Sequence, residues 1–193
     1  SGSWGWAPAM VGWFLRRAPR DHLVLITDPG PDPDDVKAIL VAAVLHMRGD
    51  LFLDAVIANG GGQPQERAQL ARCVLDHVGC LDVPVGAGSA GQPVTAQEHE
   101  YDIVGYGRVD RSRILPGSNL LASVVRAAPA QSVVLVLISS MRDFADLIAE
   151  DADLVRSRVR TVAIQGGLEQ DQDGNWHADT SSNNMFDMAG ARD

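Results

Sequence analysis

Two patterns of apolar residues alternate along this chain. Residues 23–27 (LVLIT) and 132–138 (SVVLVLI) are almost continuous apolar runs rich in β-branched side chains, a pattern typical of strands buried on both faces of a parallel sheet. Residues 51–58, 83–85 and 159–164 show the same pattern, the middle one over a very short stretch. These segments predict five strands.

The second pattern occupies the stretches between these runs. Apolar residues there recur at helical spacing, and they predict helices at 35–47, 64–78, 118–128 and 141–150. Such an alternation of strands and helices predicts an α/β, Rossmann-like fold, with a mostly parallel sheet and helices on both of its faces.

The carboxyl ends of the strands are where a sheet of this kind binds its ligand. The loops after Thr27, Ala58, Ile138 and Ile164 are therefore expected to share one rim. Between residues 86 and 117 no periodicity persists, and a loop of that length in a compact domain is usually functional or disordered. Its tip is a candidate cover for the site.

Composition narrows the class of protein. With 193 residues, 46% of them hydrophobic, the chain has the size of one domain with a real core. A net charge of −9 argues against non-specific binding to nucleic acids, and no apolar run has the length of a membrane span. Cys73 and Cys80 form no CxxC motif, which argues against a disulfide scaffold or a zinc site. An intracellular domain is expected, cytoplasmic or organellar.

The first 21 residues differ from the rest. Trp4, Trp6 and Trp13 are three of the four tryptophans, arginines follow them, and no acidic residue precedes Asp21. This composition predicts an N-terminal arm over residues 1–21, separate from a domain over residues 22–193. The arm is a candidate targeting remnant, docking arm or packed extension.

An aspartate-rich loop follows the first predicted strand. Asp28, Asp32, Asp34 and Asp35 lie within eight residues, among prolines and a glycine. Asp34 suits a helix N-cap and Asp35 suits a first helical turn, so each has a local explanation. Together, however, carboxylates at the mouth of a parallel sheet repel one another and lose hydration, and a cation with oxygen ligands offsets both effects. Calcium fits better than magnesium because it accepts many mixed oxygen ligands, including substrate hydroxyls.

A series of short motifs runs from about residue 22 to the end of the chain. The first is Thr27-Asp28-Pro29-Gly30 followed by Asp34-Asp35. The others follow in this order: Asn59-Gly60-Gly61, residues 83–88 (VPVGAG), Ile138-Ser139-Ser140, residues 162–167 (VAIQGG), Gly174-Asn175, and Asn183 with Asp187. The ordered series resembles the inosine-uridine nucleoside hydrolase family, whose signature is DxDPGxDD.

The resemblance implies a metal centre and a reaction. Asp28 and Asp35 would bind Ca²⁺, with the main-chain carbonyl of Ser139 as a further ligand. The reaction implied is hydrolysis of the N-glycosidic bond of a ribonucleoside by metal-activated water, and Asp28 is the candidate general base.

The resemblance also implies a set of substrate-binding residues. Asp34 and Asn183 would bind the ribose 2′- and 3′-hydroxyls, and Asn175 would lie near the 5′ end. The spacing between the two parts of the signature is two residues longer than in the family, so Asp32 is an alternative to Asp34. The asparagine that the family places after its second strand falls on Gly61, with Asn59 nearby as the candidate.

Other positions depart from the family pattern. Its first signature aspartate falls on Ile26, and its sugar-binding glutamate falls on Ser181. Family chains also continue beyond the point matching Asp193, which predicts that the domain is C-terminally incomplete and lacks a metal carboxylate and an acidic histidine. His99 and His177 are the remaining candidates for a histidine at the site.

Three functions remain open on this basis. The first is a calcium-dependent N-ribosyl hydrolase acting on a ribonucleoside. The second is a degenerate, non-catalytic domain that acts as an interaction module, as a homo-oligomer or as a subunit of a larger assembly. The third is a magnesium phosphohydrolase with Asp32-Pro33-Asp34 as its DxD motif, but that motif belongs directly at a strand end, which Asp28 occupies instead.

Overall fold

A six-stranded sheet forms the centre of the part of the chain that the computed structural model describes, residues 20–30 and 32–192. Its strands are β1 (His22–Thr27), β2 (Phe52–Ala58), β3 (Val85–Ala87), β4 (Ile114–Pro116), β5 (Val133–Leu137) and β6 (Val159–Ile164). They lie in the order β4-β3-β2-β1-β5-β6, and every neighbouring pair is parallel. The predicted arm lies outside the described residues apart from Arg20 and Asp21, so its separation from the domain stays a prediction.

The strand ends lie on one rim, as predicted. Thr27 is in register with Ala58 on one side of β1, and Leu137 is in register with Ile164 at the next pair of strands. The loop after β1 therefore lies at the middle of the rim, between the loops after β2 and β5.

Helices cover both faces of the sheet. The four long ones are α1 (Pro33–Met47), α2 (Pro64–His77), α3 (Gly117–Ala127) and α4 (Arg142–Arg158). Side chains of β1 alternate between the faces: Leu25 packs with α1 and α2, whereas Val24 and Ile26 pack with α3 and α4. The predicted α/β, Rossmann-like fold is confirmed.

Two helix boundaries differ by more than one residue from those predicted, and the strand predicted at 83–85 lies two residues later, at Val85–Ala87. The first helix begins at Pro33, so its N-cap is Asp32 and not Asp34; proline suits this first helical position because it has no N–H to satisfy. The helix predicted to end at Glu150 continues through α4 but bends at Asp151, whose φ of −150° and ψ of 72° are not helical. The Asp151 side chain accepts a hydrogen bond from Leu154 N at 3.0 Å and so caps the second half.

The segments expected to be irregular contain short elements. Residues 86–117 include β4, which adds to the sheet beside β3. After Gly167, strands β7 (Leu168–Gln170) and β8 (Trp176–Ala178) form an antiparallel hairpin, and the short helices α5 (Ser182–Phe186) and α6 (Met188–Arg192) follow. Within the described ranges, no helix combines the length and the apolar character needed to cross a membrane.

Candidate functional site

A cavity of about 340 Å³ opens at the carboxyl ends of β1, β5 and β6. It is lined by these residues: Asp28, Asp32, Asp34, Asp35, Arg67, Ile138, Gln165, Ser182, Asn183 and Phe186. The four aspartates between the end of β1 and the first turn of α1 therefore face one space. Asn183, one of the two asparagines predicted from the C-terminal motifs, faces it as well.

Two hydrogen bonds from the end of β1 hold Asp35 in the wall of this cavity. The hydroxyl of Thr27, the last residue of β1, donates a hydrogen bond to Asp35 Oδ1, and Asp28 N donates to the same oxygen at 3.3 Å. The first turn of α1 is thereby tied to the end of β1. Burial raises the pKa of the Asp35 carboxyl above its usual range.

Asp28 stands beside Asp35 and is the first residue after β1. Burial, followed by the nearby charge of Asp35, raises the pKa of Asp28 to about 7, although Arg67 opposes the shift. Arg67 Nη1 lies 2.7 Å from Asp28 Oδ2 and donates to the Asp28 main-chain carbonyl at 2.6 Å.

Arg67 is a site residue that the sequence did not indicate. It lies in the first turn of α2, only 4% of it is exposed, and its guanidinium carbon lies 5.7 Å from the ring centroid of Phe186. Helical periodicity places Arg67 in a helix but does not predict its ion pair with Asp28. That contact depends on how α2 packs against the end of β1.

Asn183 and Phe186 come to the cavity on the short helix α5. The Asn183 side-chain amide donates to the carbonyl oxygens of Gln165 at 2.8 Å and Ile138 at 3.2 Å, which ties α5 to the ends of β6 and β5. Phe186 packs on Gly60, where any Cβ would overlap its ring and where the φ of +78° also favours glycine. Phe186 thus gives the cavity an apolar wall.

The structure does not bring Asn59 or Ser139 to the cavity wall. Asn59 is fully buried; its amide donates to Asp143 Oδ2 at 2.7 Å and to Ser140 O at 2.9 Å, while its oxygen accepts from Ser139 Oγ at 2.7 Å. Its hydrogen bonds are therefore used to join the loop after β2 to the start of α4. Ser139 is fully buried as well, one residue beyond Ile138, which does line the cavity.

Asn175, His177 and His99 also lie apart from the cavity wall. Asn175 N and His177 Nε2 each lie 2.8 Å from an oxygen of Asp171, within the exposed β7–β8 hairpin. His99 Nδ1 lies 2.5 Å from Asp102 Oδ2 on the long loop, where both side chains are 71% exposed. The contacts of all three residues are local.

In the described part of the chain, one group of His, Cys and Asp side chains has ligand atoms close enough to share a metal: His46, Cys80 and Asp82. It lies at the far end of α1 from the cavity. Leu53 N donates to His46 Nδ1 at 3.1 Å, so the neutral ring carries its proton on Nε2, which faces Asp82 at 3.3 Å. Burial also raises the pKa of the Cys80 thiol. This group is therefore better described as a His–Asp pair than as a metal site.

No protein-family model matches the chain, and no curated protein matches it in sequence. Solved structures do match. The type III effector protein XopQ, complexed with adenosine diphosphate ribose, is 28% identical with a TM-score of 0.71, over 92% of this chain and 54% of that one. The effector protein XOO4466 is 26% identical with a TM-score of 0.71, over 92% of this chain and 52% of that one.

A nucleoside hydrolase matches as well. The inosine-uridine preferring nucleoside hydrolase from Bacillus anthracis is 16% identical with a TM-score of 0.64, over 88% of this chain and 60% of that one. The chain thus spans between about half and three fifths of the lengths of these structures. The resemblance predicted from the motifs is confirmed, and the fold of this chain is that of the nucleoside hydrolases.

Proposed function

We propose that the cavity is a calcium-dependent ribose site and that its reaction is hydrolysis of the N-glycosidic bond of a ribonucleoside. The observation that carries the proposal is the placement of Asp28 and Asp35 at the carboxyl end of the central strand β1, with Asn183 on the wall of the same cavity. Carboxylate and amide groups around one space suit a ligand with several hydroxyls.

The residues present fit a bound cation. Among the described residues, the cavity wall carries four carboxylates and one guanidinium, so negative charge is in excess. Oxygen-rich sites of this kind are the ones that calcium prefers. Asp28 and Asp35 would hold the ion. The main-chain carbonyl of Ser139 is the further candidate ligand, because Ser139 directly follows the wall residue Ile138, although its own side chain is buried. When bound, calcium would polarise a water molecule and neutralise part of this charge.

Several polar residues of the wall then have a proposed role in the reaction. Asp28 would accept the proton of the attacking water, because it lies at the cavity next to Asp35. Asp34 and Asn183 would bind the ribose 2′- and 3′-hydroxyls, with Asp32 as the alternative to Asp34. Asn59 and Asn175 are left out of this proposal because their side chains make other hydrogen bonds outside the cavity wall.

The choice of ligand to test follows from the comparisons. The XopQ structure, which is 28% identical to this chain, holds adenosine diphosphate ribose. Compounds in which a ribose is linked to a nucleotide are therefore a second ligand class to test, in addition to the simple ribonucleosides. Isothermal titration of the whole chain in calcium should detect binding of ADP-ribose, adenosine or inosine. Free adenine and 2′,3′-dideoxyadenosine should not bind. Equal binding of adenosine and its dideoxy analogue would exclude a ribose-recognising site.

A second candidate function is an interaction module, either in a homo-oligomer or as a subunit of a larger assembly. Strand β6 forms one edge of the sheet, and it exposes Val162 and Ile164. Nearby in the sequence, Leu168 and Trp176 of the hairpin are 69% and 65% exposed. Apolar surface of this kind is typical of protein contacts. If the chain forms a homo-oligomer, light scattering should give a mass above that of the monomer. The double variant Ile164→Asp, Trp176→Asp should restore the monomer mass. A wild-type protein that is a monomer at every concentration would exclude the homo-oligomer.

A further inference from the structure

Arg67 lies between two acidic groups that belong to different loops. Its Nη1 contacts Asp28 Oδ2 at 2.7 Å, and its Nη2 lies 3.8 Å from Glu100 Oε1. The first contact is a close ion pair, and the same nitrogen donates a hydrogen bond to the Asp28 main-chain carbonyl. The second distance exceeds that of a hydrogen bond. Arg67 is thus paired with Asp28. A short movement of the Arg67 side chain would bring its guanidinium into contact with Glu100.

The hydrogen bonding of this group is incomplete. Among the described residues, Arg67 Nε and Glu100 Oε1 are both buried and have no hydrogen-bond partner. Buried polar groups without partners are rare in folded proteins because they lose their hydration and gain nothing in return. The arrangement therefore leaves a buried carboxylate oxygen available to the guanidinium that lies beside it.

Glu100 is held firmly in this position. Its other oxygen, Oε2, accepts a hydrogen bond from Gln97 N at 2.9 Å, and only 2% of its side chain is exposed. Gly30 of the aspartate-rich loop after β1 (the acidic loop) packs directly on Glu100, because a Cβ at Gly30 would lie 2.8 Å from Glu100 Oε1. The long loop that carries Glu100 is thereby packed against the loop that carries Asp28.

We propose that Arg67 exchanges between Asp28 and Glu100 as calcium enters the site. Without calcium, Arg67 neutralises Asp28; when calcium takes the Asp28 carboxylate, Arg67 moves onto Glu100. This inference rests on the calcium site proposed above. Arg67 then competes with calcium for the Asp28 carboxylate. Glu100 favours calcium binding because it accepts the displaced guanidinium. Calcium affinity is thereby coupled to the packing of the long loop on the acidic loop.

A double-mutant cycle on the whole chain tests the exchange, with calcium binding measured by isothermal titration. Arg67→Met should bind calcium about tenfold more tightly, within the usual range of coupling between sites. Glu100→Gln should weaken binding, because the displaced guanidinium loses its negatively charged partner. In the Arg67→Met background, Glu100→Gln should have almost no effect. Arg113→Met and Glu98→Gln are the charge-matched controls, since both side chains are exposed and absent from the cavity wall.

The outcomes separate this inference from the function on which it rests. Equal calcium affinity in the wild type and Arg67→Met would overturn the exchange and leave the calcium site standing. The same loss from Glu100→Gln in both backgrounds would also overturn it, since the effect would then be general electrostatics. Absence of calcium binding in every protein would overturn both proposals. If circular dichroism shows that Arg67→Met is unfolded, Arg67→Gln replaces it in the cycle, because glutamine also removes the positive charge but keeps a polar side chain among these acids.

Discussion

The side-chain amide of Asn59 donates a hydrogen bond to Asp143, with Nδ2 and Oδ2 2.7 Å apart. The two residues are 84 positions apart in the sequence, and both are buried. Ser89 completes the group, because its main-chain N and its hydroxyl each donate to an Asp143 oxygen at 2.9 Å. This network joins the loops after β2 and β3 to the first turn of α4.

The first prediction is that Asn59→Ala destabilises the fold. The substitution removes the Asn59 hydrogen bond from the Asp143 carboxylate, which keeps its bonds from Ser89, and it leaves the buried Ser139 hydroxyl without its acceptor. A buried polar group that loses its partner costs about 1–3 kcal/mol. The free energy of unfolding in urea should fall by at least that amount. The exposed Asn119→Ala in α3 is the control and should change it by no more than about 0.5 kcal/mol. An Asn59→Ala protein of normal stability that fails to bind adenosine would place this amide in the ribose site after all.

The second prediction concerns calcium and Asp28. Saturating calcium should stabilise the wild-type chain, by about 2.7 kcal/mol once its concentration reaches a hundred times the dissociation constant. Asp28→Asn should abolish this stabilisation while preserving the shape of the side chain. Melting curves with and without calcium measure both effects.

Asp153→Asn is the matched control for Asp28→Asn, because the Asp153 side chain is 93% exposed and absent from the cavity wall. Its calcium-induced shift should equal that of the wild type. Melting temperatures of the wild type that do not respond to millimolar calcium would contradict the prediction.

The strands and the rim could be predicted from the sequence because long apolar runs leave few alternatives. Once Thr27 and Ile138 were predicted to end parallel strands, Asp28 had to lie on the rim, and β5 does end within one residue of that position, at Leu137. The strand β4 and the β7–β8 hairpin could not be predicted, because each strand has three residues and so shows no periodicity.

The orientation of side chains on the rim was the less predictable part of the site. Asn59 follows β2 directly, as a rim residue should, yet its side chain turns towards Asp143 and away from the cavity. Arg67 belongs to none of the sequence motifs, although it contacts Asp28. In both cases the partner comes from a distant part of the chain, which local sequence patterns do not encode.

The third prediction compares two asparagines that the sequence motifs proposed together. Asn183 lines the cavity, whereas Asn175 belongs to the turn of the β7–β8 hairpin and donates to Asp171 at 3.2 Å. Asn183→Ala should lower the affinity for adenosine or ADP-ribose about 3- to 10-fold, the effect of one lost hydrogen bond. Asn175→Ala should leave the affinity unchanged in the same titration. The reverse order of effects would move the ribose site towards the hairpin.

The last prediction is that this chain alone hydrolyses nucleosides slowly. Positioned acid catalysis typically contributes a factor of about 10² to 10⁴, and it requires a proton donor close to the departing base. Within the described residues, the cavity wall includes no histidine, and His99 and His177 are paired with aspartates elsewhere. Ser181 stands where the resemblance implies a sugar-binding glutamate, which should weaken the positioning of the ribose as well.

Steady-state assays with inosine and uridine in calcium measure this directly, and the turnover should fall below the range of about 1 to 10³ per second that is typical of enzymes. Asp28→Asn should remove the residual activity if the candidate base acts as proposed. His177→Ala and His99→Ala should leave it unchanged, because both side chains are exposed and bound locally. Turnover in the typical range would require a proton donor at the cavity, and a loss of activity in either histidine variant would identify it.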